Sequence, residues 1–295
     1  MRKFILGTDW WTDCDDAVAL RLLARAVKKN EIELLGVVIN GCMEYTVPSL
    51  DGFLHAEGVA GVPIGLDKEA NDFGGRPPYQ KNLAPLAVAY KANEEAEDPV
   101  RLYRRLLAAA EDASVELVEI GYMQTIAALL QSGADDVSPK TGVELVAEKV
   151  KKLWVMAGKW DDNPGRENNF ARNRRTAAGS EVLCRLCPVP MVFLGWEIGF
   201  DVITGGLLPE DDLLHKVLAD HGSASGRMSW DPMLVALALE GDEERAGYHV
   251  VRGTAKVDAE TGLNTFTEDP AGPHAYVVRK FAPEWYADKI NAMIG

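Results

Sequence analysis

Short apolar runs alternate along this chain with stretches whose apolar residues recur every three or four positions. The runs at residues 3–8, 32–39, 115–121, 152–157 and 189–194 predict strands. The stretches at 16–29, 48–60, 99–112, 124–132, 142–150 and 170–186 predict helices. Runs such as ELLGVVI and LWVMA show no polar alternation, so both faces of those strands should be covered, as in a parallel sheet flanked by helices. Past residue 200 the pattern changes. Helices are predicted at 209–222 and 231–239, and strands 250–257 and 263–266 form a hairpin around Glu260-Thr261-Gly262. A last strand at 274–280 and a helix at 284–293 follow. The expected class is α/β: an open, mostly parallel central sheet flanked by helices, with a small C-terminal hairpin. No linker, repeat or low-complexity segment divides the 295 residues, which read as one domain, 1–295. The loop 67–82, with Gly74-Gly75 and Pro77-Pro78-Tyr79, is long enough to be a flap.

In open α/β sheets ligands bind beyond the carboxyl ends of the strands. Here those ends are polar. The second strand runs into Asn40 and the third into Tyr122-Met123-Gln124-Thr125. The fourth gives Met156-Ala157-Gly158 and a polar loop holding Asp161, Asp162, Asn163, Glu167, Asn168 and Asn169, and the fifth gives Gly195-Trp196-Glu197. Any one of these reads as easily as a turn residue; five strands ending alike weigh against that.

The first strand runs into GTDWWTDCDDAVAL, residues 7–20, where Asp9, Asp13, Asp15 and Asp16 fall within eight positions. One carboxylate, Asp15 or Asp16, is explained as a helix N-cap. Four are not. Two like charges about 4 Å apart repel by roughly 4 kcal/mol at an effective dielectric near 20. Such a loop should bind a divalent cation, and oxygen-only ligands favour calcium or magnesium over zinc. Asp231 before Pro232 is by itself a good N-cap followed by proline at the first helical position.

Charge narrows the partners. A net charge of −14 argues against nucleic acid and anionic membrane surfaces. The start, MRKFILGTDWW, lacks the apolar length and small-residue cleavage site of a signal peptide, and no run reaches the ~18 apolar residues of a membrane span. A cytoplasmic location is expected. Of the four cysteines, Cys14, Cys42, Cys184 and Cys187, the last two have a redox or half-zinc spacing with no second pair nearby and read as two reduced structural thiols, and Cys14 reads as a chance occupant of the acidic loop.

Taken in order, these motifs resemble the inosine–uridine-preferring nucleoside hydrolase family over residues 3 to about 240. The family's opening Asp, loop and Asp-Asp-Ala are matched by Asp9 and Asp15-Asp16-Ala17, and its next strand-end Asn by Asn40. Gly121–Thr125 loosely matches its middle Gly-Pro-Leu-Thr-Asn segment. Met156-Ala157-Gly158, Glu167-Asn168-Asn169 and Asp231-Pro232 match its later segments. The resemblance implies one Ca2+ held by Asp9, Asp16, the carbonyl of Gln124 and Asp231, and hydrolysis of the N-glycosidic bond of a ribonucleoside or related riboside. Asp9 would be the base. Asp15 and Asn40 would hold ribose hydroxyls, Glu167 and Asn169 the 5-hydroxyl side with Asn163 beside them, and Met156 and Trp230 would complete the substrate site. It also implies a homodimer or homotetramer.

Three departures stand out. Trp10-Trp11-Thr12-Asp13 replaces the usual Pro-Gly, making Asp13 a rival to Asp9. Trp230 stands where many members carry a His that protonates the leaving base, which leaves Tyr79 or His221 as candidates for that task. Gln124 replaces a Thr. Two other readings compete: a magnesium phosphohydrolase using an Asp nucleophile, and a calcium-dependent ribose- or nucleoside-binding protein without efficient turnover.

Overall fold

The computed structural model describes residues 1–11, 13–71, 79–163 and 165–295. Alternating side chains set its layers. In strand β1 (Arg2–Thr8), Phe4 and Leu6 enter the core on one face of the sheet and Ile5 the core on the other. The same division recurs in β4 (Val115–Glu119), β5 (Val150–Met156) and β6 (Met191–Leu194): Val118, Trp154 and Val192 face one way, Leu117, Val155 and Phe193 the other. Unbroken apolar strands therefore reflect burial on both faces, as expected of a parallel sheet.

The main sheet has nine strands. Besides these four it contains β2 (Ile32–Ile39), β3 (Ile64–Leu66), β9 (Tyr248–Val257), β10 (Asn264–Glu268) and β11 (His274–Arg279). A separate two-stranded ribbon pairs β7 (Ile203–Thr204) with β8 (Arg227–Met228). The order is β10-β9-β11-β6-β5-β4-β1-β2-β3, parallel from β3 to β11 and antiparallel at the β9 and β10 edge. The C-terminal hairpin thus extends the sheet. The chain reverses its direction of winding between β1 and β4, so a crevice opens where their carboxyl ends part.

The predicted elements are present, with shifts that have local causes. β3 went unpredicted because three residues after Pro63 carry no readable period. The stretch 170–186 is two helices, Asn168–Ala171 and Arg174–Leu186, because the Asn173 side chain accepts the Thr176 N–H and starts a new helix. Two N-cap expectations are corrected. Cys14 occupies the cap of the helix Asp15–Lys28, and Ser229 that of Trp230–Glu240. Asp15, Asp16 and Asp231 sit inside the first turns, and their carboxylates serve another purpose. The flap expectation falls largely on residues 72–78, outside the described residues. All four cysteines are free thiols, and burial pushes the Cys187 thiol up to about 11. Among the described residues no helix is long and apolar enough to cross a membrane.

β1 and β4 meet over a buried acid. The Glu119 carboxyl lies where a Cβ on Gly7 would fall, so only glycine fits opposite it. Tyr103 Oη donates to Glu119 Oε1 at 2.5 Å, while Oε2 has no hydrogen-bond partner. Burial raises its pKa from 4.5 to about 8, against the Tyr103 hydrogen bond. A raised carboxyl pKa means that the folded state holds the proton longer, so stability is full below 4.5 and declines as pH rises through 8. Glu119→Gln, which keeps an acceptor for Tyr103, should match wild type in melting temperature near pH 5 and exceed it near pH 8. Melting curves across this range check it, and parallel pH profiles would refute it.

Candidate active site

Three carboxylates converge because two helices begin at one place. Helix Asp15–Lys28 packs against helix Trp230–Glu240 on one face of the sheet. Their first turns bring Asp15, Asp16 and Asp231 together, with one oxygen of each lying within 4.8 Å of the others. All three side chains are buried. Burial raises each pKa, and the neighbouring carboxylates raise it further. No ion pair reaches any of them among the described residues. Partial compensation comes from the positive ends of the two helices. Thr8 Oγ1 donates to Asp16, the Trp10 N–H reaches Asp16 Oδ1 at 3.2 Å, and the Asp231 N–H reaches Asp15 Oδ2 at 3.3 Å.

Asp9 leaves the end of β1 beside this group, half-buried, with the Trp11 N–H donated to its Oδ1 at 3.2 Å. Burial first, then Asp15 and Asp13, raise its pKa from 3.8 to about 7. Between Asp9 and Asp16 the chain turns through Trp10 at φ 42°, a left-handed conformation that side chains rarely adopt. The Trp10 ring anchors the turn, since it is fully buried, donates Nε1–H to Ser49 Oγ at 2.8 Å and lies against Phe53 and Tyr79. The end of β4 comes equally close: a Cβ at Gly121 would lie 2.3 Å from the Asp9 nitrogen.

Above these acids is a cavity of about 210 Å3. Asp9, Asp13, Asp15, Asp16 and Asp231 form its acidic side, and Ile120, Tyr122, Met156, Glu167, Asn168 and Asn169 line it from the ends of β4 and β5. Trp11, Trp196, Trp230, Arg172 and Arg227 complete the wall. Asn169 Nδ2 donates to the carbonyls of Ile120 at 3.0 Å and Met156 at 2.9 Å, tying the two strand ends together. Glu167 caps the helix Asn168–Ala171, accepting N–H groups from Asn169, Phe170 and Gly158, and burial raises it from 4.5 to about 7 against those bonds.

Of the residues singled out from sequence, Asp9, Asp15, Asp16, Met156, Glu167, Asn169, Trp230 and Asp231 line one cavity. Three do not. Asn40 is fully buried behind Gly121, its Oδ1 accepting the Tyr122 N–H at 2.8 Å and its amide nitrogen unpartnered. Gln124 is buried at the start of its helix, its side chain donating to the Asn40 carbonyl at 2.7 Å and to Asp67. Asn163 is exposed on a turn, with its N–H on Asp161 Oδ1 and its carbonyl accepting from Lys159.

Neither substitute proton donor reaches the cavity wall. Tyr79 is fully buried and gives its hydroxyl to the Asp13 carbonyl at 2.6 Å. His221 turns Nδ1 to Ser223 Oγ, and burial lowers its pKa. Asp13 is engaged by Arg227, which donates Nε at 2.7 Å and Nη2 at 2.5 Å. Sequence reasoning missed Arg172 and Arg227. Tyr122 and Trp196, just past strand ends, and Trp11, in the loop after the first strand, carried a positional signal.

No protein-family model and no curated protein matches the sequence. Solved structures do match the fold. The chain superposes on a plant nucleoside hydrolase with a TM-score of 0.71 at 16% identity, covering 99% of this chain and 98% of that one. The inosine-uridine preferring nucleoside hydrolase from Bacillus anthracis gives 0.70 at 16% identity over 100% and 99% of the two chains. A purine-preferring ribonucleoside hydrolase from Gardnerella vaginalis gives 0.70 at 17% over 99% of each. The fold is that of the nucleoside hydrolases.

The carboxylate group passes a chemical test for a hard cation: several oxygen donors converge, and no basic side chain pairs with the three buried ones among the described residues. Stripped of divalent ions, the protein should gain on the order of 5 °C in melting temperature when Ca2+ is added in large excess over its Kd. Asp231→Asn should abolish that gain while matching or exceeding the ion-free wild type, since one like charge is removed. A gain that survives this substitution would place the ion elsewhere.

Proposed function

We propose that the protein is a divalent-cation-dependent hydrolase of N-ribosides, releasing ribose and a free nitrogenous base. The observation that carries this reading is the convergence of Asp15, Asp16 and Asp231 next to Asp9 on one wall of a small cavity, at the point where the sheet reverses. Asp9, Asp16 and Asp231 would hold the ion, read as calcium from its oxygen donors, without the Gln124 carbonyl that the sequence motif offered. When bound, it would supply a grip on the vicinal ribose hydroxyls and acidify a water for attack.

The chain's own residues carry the rest. Asp9 takes the proton of the attacking water, the water oxygen bonds to the anomeric carbon, and the bond from that carbon to the base nitrogen breaks with its electron pair going to the base. Asp15 holds a ribose hydroxyl. Glu167 and Asn169 serve the 5-hydroxyl side, with Met156 against the sugar. Positive charge developing on the sugar faces the carboxylates, whose crowding stabilises it. Asn40 and Asn163 have no substrate contact in this reading; Asn40 instead holds the ends of β2 and β4 in register through Tyr122. The same reading takes the protein to be a homodimer or homotetramer, which sedimentation would decide.

Incubation with a panel of ribosides should release reducing sugar, and a chelator should stop it. Asp9→Asn should lower kcat by roughly 10^2–10^4, the usual contribution of a general base, with much less change in KM. If Asp9→Asn kept full activity while Asp13→Asn lost it, the base would be misassigned. Cation-dependent riboside binding with no ribose released would make the cavity a binding site.

A further inference from the structure

Within the hydrolase reading, on which this inference rests, the cavity wall also speaks to the leaving group. The base departing from an ordinary nucleoside carries the electron pair of the broken bond and must be protonated or neutralised as it leaves. Among the described residues the wall holds no histidine, cysteine or lysine, and the nine residues outside the description contain none either. Tyr79 gives its hydroxyl to the Asp13 carbonyl, and His221 stands behind the wall, its Nε2 3.9 Å from Asp13 Oδ1. The Trp230 indole N–H is already donated to the Trp196 carbonyl at 2.7 Å.

What the wall does offer is negative charge and aromatic faces. Among the described residues six carboxylates line it, and two guanidinium groups, of which Arg227 is spent on Asp13, together with the divalent ion of the proposed reading do not fully offset them. Trp11, Tyr122, Trp196 and Trp230 supply four aromatic rings. Trp196 is 39% exposed and stacks on Phe200, with its ring tilted 31° to that of Trp230 at 6.4 Å. The Arg227 guanidinium already sits 5.7 Å from the Trp230 ring centre, a distance at which an indole face attracts a cation.

We infer that the preferred substrate is a cationic N-riboside, one whose ring nitrogen is positively charged while bonded to the sugar, as in a pyridinium riboside. Its bond breaks with the electron pair passing to the ring nitrogen, so the ring leaves neutral and needs no proton. The water adds to the anomeric carbon and its proton goes to Asp9, which balances the reaction. The carboxylates and indole faces recognise the charge of the bound substrate and release the uncharged product.

Two measurements test this. The first compares kcat/KM for nicotinamide riboside with those for inosine and uridine, with an expected preference of at least about 100-fold for the cation. The second removes leaving-group reactivity from the comparison: 1-methylnicotinamide, an unreactive cation, should inhibit about tenfold more strongly than neutral nicotinamide. Trp230→His, which puts a proton donor on the wall, should raise activity on inosine far more than on nicotinamide riboside. Inosine or uridine turned over as well as nicotinamide riboside, or equal inhibition by the two nicotinamides, would overturn this inference and leave the hydrolase reading intact. Ribose released from no riboside of either charge would overturn both.

Discussion

Like charges held together with no basic side chain paired to them among the described residues are the constraint on which this structure turns. Asp15, Asp16 and Asp231 are buried within one group, and Asp9 stands beside it. Such an arrangement persists only if the scaffold over-determines it. The scaffold does so with two helix N-termini aimed at one spot, backbone N–H groups turned inward, and a strained turn at Trp10 nailed down by a fully buried indole.

The place of the site follows from topology. Parallel strands deliver their carboxyl ends to one edge of the sheet, and winding reverses between β1 and β4. Asp9 ends β1, Ile120 and Tyr122 follow β4, and Met156 ends β5, so a single crevice collects them. Gly121 permits the closest approach because it has no side chain to hold the ends of β1 and β4 apart. Asn40 and Asn169 then bind strand end to strand end through their carboxamides. The rigidity of the acidic wall is thus distributed over several elements.

Asp13 shows how one acid of a crowded loop can serve the cavity wall and stand apart from the buried carboxylate group. Its bidentate pair with Arg227 ties the first loop to the β7–β8 ribbon, and Arg227 in turn lies against Trp230. The acid that looked surplus beside Asp9 therefore helps set the aromatic side of the cavity.

The class of fold was legible in the chain because burial on both faces leaves an unmistakable pattern, the unbroken apolar strand. The carboxylate group was half legible: carboxylates crowded within eight residues must be close in any fold, so Asp9, Asp15 and Asp16 announced it. Asp231 is more than two hundred residues away, and its proline neighbour offered an ordinary capping explanation that the structure replaces. Arg172 and Arg227 carried no signal, because nothing in sequence spacing says which way a loop residue faces. Nor could sequence tell that Asn163 lies in solvent or that Tyr79 turns its hydroxyl to a backbone carbonyl. Local periodicity and local charge density are properties of neighbours along the chain, and these the sequence determined. Which distant side chains share a wall is decided by helix packing and strand order, and only the tertiary structure holds that information.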